Sequence, residues 1–505
     1  MQSNDRPSRI PLVAAAATFA IHLAANPHYG FFRDELYFII CGRHPALGYV
    51  DQPPLVPLLA ALTQLAGESL VLLRAPAALV AAASVYVTCL LARELGGGRF
   101  AQALAAVSSA LCPVLCAFGM KLSTDTPGLW LWPLAALYLL RLLRGGDARN
   151  WLGLGAALGL SAQAKFSVAY FAAALFLGLL CTPKRRILLS RWFVLGALLA
   201  AALALPALLW QASHGFPMLE ILRNGQHGKN VVLSPGEYLF AEVLVTNPIL
   251  ALIWIAGLFQ LLADEQARPL GLSFLILLAA MIASHAKHYY PADIYPVLFA
   301  AGGVLIERLT ARFRALRPAA LGLSAIAGAI ALPYVVPILP LPAFLAYHRV
   351  LAPRLHLQTA ETERHRPSVL PQDWADMQGW PEMAAAVAKV FASLAPEDRA
   401  HTAIVAGNYG EAAAIDFFGR SHGLPPALSG HNQYFLWGPR GGDVQNIIDV
   451  GGDCGAGANL FEHVERAAVF SSPLAMPYED QLPIMLCRRI RRPLAELWPA
   501  LKLYL

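Results

Sequence analysis

The chain has 505 residues, 57% of them hydrophobic and only 14% charged, with a mean hydropathy of +0.52. Soluble globular chains carry roughly 25% charged residues, so the composition excludes a disordered protein, a disulfide scaffold and an ordinary cytosolic enzyme, and points to an integral membrane protein. The net charge of +6 is no nucleic-acid signature, because the basic residues fall in short loops between apolar runs.

A bilayer core takes about 20 apolar residues per helix. In chain order, runs near 10–26, 71–92, 100–118, 126–143, 151–164, 166–182, 192–211, 239–262, 269–285, 291–307 and 318–339 predict about eleven transmembrane helices. The run 53–66 is too short to span, is bracketed by Pro53, Pro54 and Gly67, and is expected to lie along the interface. The first run reads as a retained helix rather than a cleaved leader, because the most unusual polar cluster of the chain follows it directly. With the N-terminus inside, the inner loops, from Arg6 and Arg9 onward, collect 16 Lys and Arg against 8 outside. The positive-inside rule then makes the N-terminus cytoplasmic, and an odd number of spans puts residues 340–505 outside.

Beyond the proline-rich stretch 333–342 the long apolar runs stop. Residues 381–394 predict an amphipathic helix, 402–406 a strand, 410–419 a helix, and 444–450, 467–471 and 483–489 further strands. These alternating elements predict a small α/β domain over 341–505, set apart from a transmembrane domain over 1–340. Gly441–Gly442 and Gly451–Gly452 read as turns. Cys112 and Cys116 sit in an apolar run and read as packing residues. Cys454 and Cys487 can pair if their domain lies outside the cytoplasm.

Ionisable groups at a membrane face are costly and are functional candidates by default. They gather here in the connections assigned to the outer side. The first outer loop reads Tyr29-Gly-Phe-Phe-Arg33-Asp34-Glu35-Leu36-Tyr37 and then Gly48-Tyr49-Val50-Asp51-Gln52-Pro53-Pro54-Leu55. Later connections hold Asp125 before Pro127, then Lys165, then Lys287-His288-Tyr289-Tyr290. A lipid-linked phosphate donor presents its headgroup at such a surface, and its phosphate wants Lys or Arg. An acceptor hydroxyl or amine attacking a sugar carbon wants a carboxylate as general base. One base suffices for inversion, whereas retention wants a second carboxylate about 5 Å away.

Arg33-Asp34-Glu35-Leu36-Tyr37 followed by Asp51-Gln52-Pro53-Pro54 resembles the first outer loop of the GT-C fold membrane glycosyltransferases. The branch is the protein O-mannosyltransferase-like superfamily, which includes the bacterial aminoarabinose transferases. Ser123-Thr124-Asp125-Thr126-Pro127, Lys165 and Lys287-His288-Tyr289-Tyr290-Pro291 match the same pattern in order. The motifs Asn408-Tyr409-Gly410-Glu411 and His431-Asn432-Gln433-Tyr434 are similar to the outer domain of a bacterial branch of that superfamily. The resemblance implies a polytopic α-helical inner-membrane protein with a periplasmic α/β domain. Its donor would be a polyprenyl-phosphate sugar, and its acceptor a lipid, a glycan or a protein.

Residue by residue, the resemblance makes Asp34 the catalytic base. Asp51 orients the acceptor or holds a divalent cation, should one be bound, and Glu35 is a further catalytic candidate. It leaves Lys165, Lys287 and His288 to receive the phosphate, with Asp125, Tyr37 and Arg33 as further substrate-binding candidates. The chain departs from the aminoarabinose transferases at Tyr37 and Gln52, where they carry Arg and Lys. Two rival readings stand beside this one. One is a polyprenyl-lipid or glycan transporter, whose ionisable groups and broken helices belong near the bilayer midplane. The other is an envelope scaffold whose outer domain binds a partner. Bland readings exist for single residues too: Asp125 as a helix cap, Lys165 as a snorkelling loop lysine, and Asp51 as a turn former before Pro53.

Overall fold

The structure, a computed structural model, describes residues 8–229, 231–355, 363, 366–439, 443–455 and 459–505. Arg6 and the Gly441–Gly442 turn lie outside the described residues. The chain forms two compact units. One comprises Met1–His28, Val71–Leu209 and Asn230–Thr362, and the other Tyr29–Leu70, Trp210–Lys229 and Glu363–Leu505.

The first unit is helical. Among the described residues, Leu70–Glu94, Arg191–Ser213 and Leu316–Tyr334 are long and apolar enough to cross a membrane. Two bent pairs raise that number to five if each is one span: Arg99–Leu111 with Pro113–Met120, bent by 61°, and Pro235–Val245 with Pro248–Ala263, bent by 109°. Both breaks fall at a proline, which has no N–H to continue the helical ladder. The second break also has Asn247 at φ 73°, its side chain accepting from Ile249 N–H at 3.0 Å. Shorter apolar helices, including Ile10–Ala25, Gly128–Leu143, Val168–Leu180 and Arg268–Ala283, fill other expected runs.

Glycine sets how closely these helices approach. A Cβ at Gly257 would strike the carbonyl of Leu298, and one at Gly302 the carbonyl of Ile253, so Pro248–Ala263 and Tyr295–Leu309 pack backbone to backbone. Gly155 and Gly196 play the same part between Asn150–Ala162 and Arg191–Ser213. Small residues serve this purpose where lipid removes the hydrophobic drive for association.

The second unit joins residues 29–70 to the sheet-bearing third of the chain. Packing therefore does not follow a single cut after residue 340: residues 29–70, expected with the transmembrane domain, belong to the unit that holds the sheet. The helix Arg33–Arg43 packs on Leu55–Gln64 and on Tyr409–Phe418. Four strands, β1 (Thr402–Ala406), β2 (Asn446–Val450), β3 (Phe461–Phe470) and β4 (Leu482–Ile490), form a mixed sheet in the order β1-β2-β4-β3. β1 and β2 are parallel; the other neighbours are antiparallel. β3 begins at Phe461 rather than 467 because it is an edge strand with mostly exposed residues, so its first half lacks the alternation that marks a strand in sequence. Cys454 and Cys487 are disulfide-bonded, Cα to Cα 6.2 Å, and tie the loop after β2 to β4.

Replacing Gly257 by Leu should drive the two helices apart. The expected outcome is loss of folded, monodisperse protein on size exclusion in detergent, since overpacking costs about 1–3 kcal/mol or more.

Candidate functional site

In the second unit Asp34 and Asp51 enter two hydrogen-bonded clusters that meet through a tyrosine ring contact. Arg33–Arg43 starts at an extended Phe32, whose N–H is accepted by Glu35 Oε2 at 2.9 Å. Glu35 is fully buried in this capping role, while Asp34, one residue earlier, turns to the other side with its side chain one-third exposed. The buried Tyr409 hydroxyl donates to Asp34 Oδ1 at 2.7 Å. Arg33 Nε lies 3.7 Å from the same oxygen.

The Arg33 guanidinium is itself enclosed. Its Nη1 donates to Tyr478 Oη at 2.7 Å and lies 3.6 Å from Asp376 Oδ1, while Arg33 N–H donates to the Asp376 carbonyl at 3.1 Å. Burial lifts the Asp376 carboxyl above its ordinary range even against the pull of Arg33. Gly410 leaves room for the Arg33 stem, since a Cβ there would collide with Arg33 Cγ. Gly410 belongs to the Tyr409–Phe418 helix, which Asn408 caps by accepting from Gly410 and Glu411 N–H at 2.8 and 3.0 Å. The Asn408 amide also donates to Glu411 and Glu479, 2.9 Å to each. Burial raises both of these carboxyls, that of Glu479 to about 7.

Asp51 is held by neutral donors: Tyr37 Oη to Oδ1 at 2.9 Å and Asn432 Nδ2 to Oδ2 at 3.1 Å. Burial pushes its carboxyl up to about 6, with the two hydrogen bonds opposing. Tyr37, expected to touch substrate, is 1% exposed and instead anchors Asp51. The Tyr37 and Tyr409 rings meet at 4.7 Å between centroids, so the two acids are linked through a tyrosine pair. Asp51 was the residue expected to hold a cation if one is held. Its two oxygens already face an O–H and an amide N–H, a poor set for a divalent ion. Among the described residues no group of three or more His, Cys, Asp or Glu is arranged to hold a metal ion.

The remaining candidates lie in the first unit. Lys165 Nζ donates to Asp125 Oδ1 at 2.6 Å and sits over the Tyr290 ring at 4.1 Å. Asp125 thus faces a cation rather than capping the helix Gly128–Leu143. Lys287 Nζ lies 6.0 Å from the Tyr289 ring centre, and its carbonyl accepts from Tyr238 Oη at 3.3 Å. His288 is buried, and burial with the nearby Lys287 brings its pKa down to about 4, so near neutral pH it offers a neutral imidazole rather than a cation.

Several buried carboxylates and hydrogen-bond partners are not singled out in the sequence. Asp293 is buried against Gly128 at the start of Gly128–Leu143, and Glu242 is buried and hydrogen-bonded to Tyr295. Both are carboxylates inside apolar runs, a signal the sequence carried. Asp376 and Tyr478 lie in ordinary polar loops and gave none. Tyr409 and Asn432 stood in quoted motifs without a role.

The fold is that of the GT-C membrane glycosyltransferases. Residues 51–210 match the family model of dolichyl-phosphate-mannose-protein mannosyltransferases. The structure is similar to ArnT from Cupriavidus metallidurans bound to undecaprenyl phosphate, with a TM-score of 0.61 at 14% identity over 94% of this chain and 97% of that one. Apo ArnT gives 0.60 at the same identity and coverage. The archaeal oligosaccharyltransferase AglB from Archaeoglobus fulgidus gives 0.50 at 12% identity, over 87% of this chain and 69% of that one. No curated protein sequence matches.

Gly410→Ala should lower the melting midpoint by crowding Arg33, at a cost of about 1–3 kcal/mol. In an Arg33→Ala background the same Gly410→Ala change should cost less, because the clash is with the Arg33 stem, although Arg33→Ala is itself destabilising. Thermal melts of both single variants and the double variant measure the coupling.

Proposed function

We propose that this chain is a polytopic glycosyltransferase of the bacterial inner membrane, hexosyl or pentosyl. It moves a sugar from a polyprenyl-phosphate donor to a lipid, glycan or protein acceptor on the periplasmic face. The observation that carries the reading is the placement of Asp34 and Asp51 in hydrogen-bonded clusters joined by the Tyr37–Tyr409 ring contact, on a fold shared with an ArnT structure bound to undecaprenyl phosphate. About eleven spans, a cytoplasmic N-terminus and a periplasmic α/β domain complete the proposal. The distribution of Lys and Arg and the Cys454–Cys487 disulfide, a bond of oxidising compartments, support that orientation.

In the proposed reaction Asp34 takes the proton of the acceptor hydroxyl or amine. The acceptor atom forms its bond to the anomeric carbon as the bond to the donor phosphate oxygen breaks, which inverts that carbon and releases polyprenyl phosphate. Asp51 orients the acceptor. Lys165 and Lys287 stabilise the departing phosphate, and electrostatic stabilisation of this kind supplies a large share of catalysis. A phosphate at Lys165 would compete with Asp125, its partner in the structure. His288 contributes at most a neutral N–H. No observation favours the transporter reading.

Asp34→Asn should abolish transfer, a loss of roughly 10²–10⁴-fold for a missing general base. Mass spectrometry of envelope glycans and polyprenyl-phosphate sugars in deletion and Asp34→Asn strains should show one lipid-linked sugar accumulating and one glycan modification missing. Unchanged pools would overturn the enzyme reading.

The Asp51 carboxyl is raised to about 6 from 3.8, so it gains its charge as pH climbs through 6. Transfer that needs the carboxylate should rise through an acid limb near pH 6, and the residual activity of Asp51→Asn should lose that limb. The same shift makes the ionised form unfavourable in the fold, so the Asp51 contribution to stability declines between about pH 4 and pH 6.

A further inference from the structure

The two acids of the outer loop meet residues contributed by the sheet-bearing third of the chain. Tyr409, at the start of the Tyr409–Phe418 helix behind β1, takes Asp34 Oδ1 at 2.7 Å. The Asp34 side chain is one-third exposed, and beside that bond the same oxygen lies 3.7 Å from Arg33 Nε. With Oδ1 engaged, Oδ2 is the oxygen left to receive a proton. Burial, together with Asp34, holds the Tyr409 hydroxyl far above its ordinary pKa, so it stays a donor.

Asn432 performs the matching task at Asp51. Its backbone stands at φ 47°, ψ −125°, a conformation L-residues rarely adopt, and strain of this kind collects at functional sites. The final residues hold it there: Asn432 N–H donates to the Leu503 carbonyl at 2.9 Å, and Leu505 N–H donates to Asn432 Oδ1 at 3.1 Å. The second bond occupies the amide oxygen and turns Nδ2 toward Asp51 Oδ2. The Tyr409 ring packs on His431 at 4.8 Å and on Tyr37 at 4.7 Å, which joins the two supports.

We infer that Tyr409 and Asn432 are positioning residues that fix the carboxylates of Asp34 and Asp51 for acceptor activation. The inference rests on the proposed role of Asp34 as base. Both residues act through an acid, so their removal should slow the chemical step without weakening donor binding.

The test uses the full chain in nanodiscs, with the polyprenyl-phosphate sugar fraction extracted from deletion-strain membranes as donor and the envelope fraction of that strain as acceptor. Tyr409→Phe removes one hydroxyl and keeps the ring. Its kcat should fall about 10- to 100-fold, with KM for the donor lipid within about twofold and the melting midpoint unchanged. Asn432→Ala, read in the same way, carries the test if Tyr409→Phe does not fold. Wild-type kcat in both variants beside an inactive Asp34→Asn overturns this inference alone. A rise in KM with kcat preserved, or a fall in kcat that tracks a lowered melting midpoint, also overturns it. Full activity in Asp34→Asn removes the base role and this inference with it.

Discussion

A buried guanidinium is tolerable only where carboxylates and hydroxyls surround it, and Arg33 meets that condition with groups drawn from distant parts of the chain. Asp376, Tyr478 and Tyr409 come from the last third; Asp34 is its neighbour in sequence. Removing Asp376 would leave the Arg33 charge without its buried counter-ion. The loop that carries Arg33 is therefore committed to the sheet-bearing third, and the orientation of Asp34 follows from that commitment. Gly410 belongs to the same constraint, because its missing side chain is the space through which Arg33 passes.

Two carboxylates seventeen positions apart receive contrasting surroundings. Asp34 remains in contact with solvent and with a cation, whereas Asp51 is enclosed by an O–H and an amide and its proton is held up to about pH 6. Paired acids whose environments differ in this way are how one site divides its chemical tasks. Tyr37 is central to the contrast. A basic residue at that position would favour the Asp51 charge; the phenol leaves it dependent on pH.

The sequence made the membrane class, the small α/β region and the acidic loop of Asp34 and Asp51 legible, because hydropathy, turn residues and charges in unusual places are local signals. Cys454 and Cys487, left open in sequence as a conditional pair, are bonded. Asp34 already ranks above Glu35 in sequence, because adjacent residues of a helix point to different sides; the helix start at Arg33 adds that Glu35 caps while its neighbour faces outward. The partners Tyr409, Asn432, Asp376 and Tyr478 were out of reach for a different reason. Their roles depend on contacts across more than 300 residues, and nothing in a tyrosine or an asparagine of a polar region announces what it will meet. Asp293 and Glu242 are another case: each is an acid in an apolar run, a local signal present in the sequence.

The discontinuity of the second unit has a consequence for biogenesis. Residues 29–70 leave the ribosome about 300 residues before the segment that encloses them begins, which at roughly 5–20 residues per second is a delay on the order of 15–60 s. Throughout that interval Arg33 has neither Asp376 nor Tyr478, and Asp34 lacks Tyr409. The nascent loop is therefore inserted before it is folded. Its maturation waits on the arrival of the final third, so a chain interrupted late in translation would carry Asp34 without Tyr409 and Asp51 without Asn432.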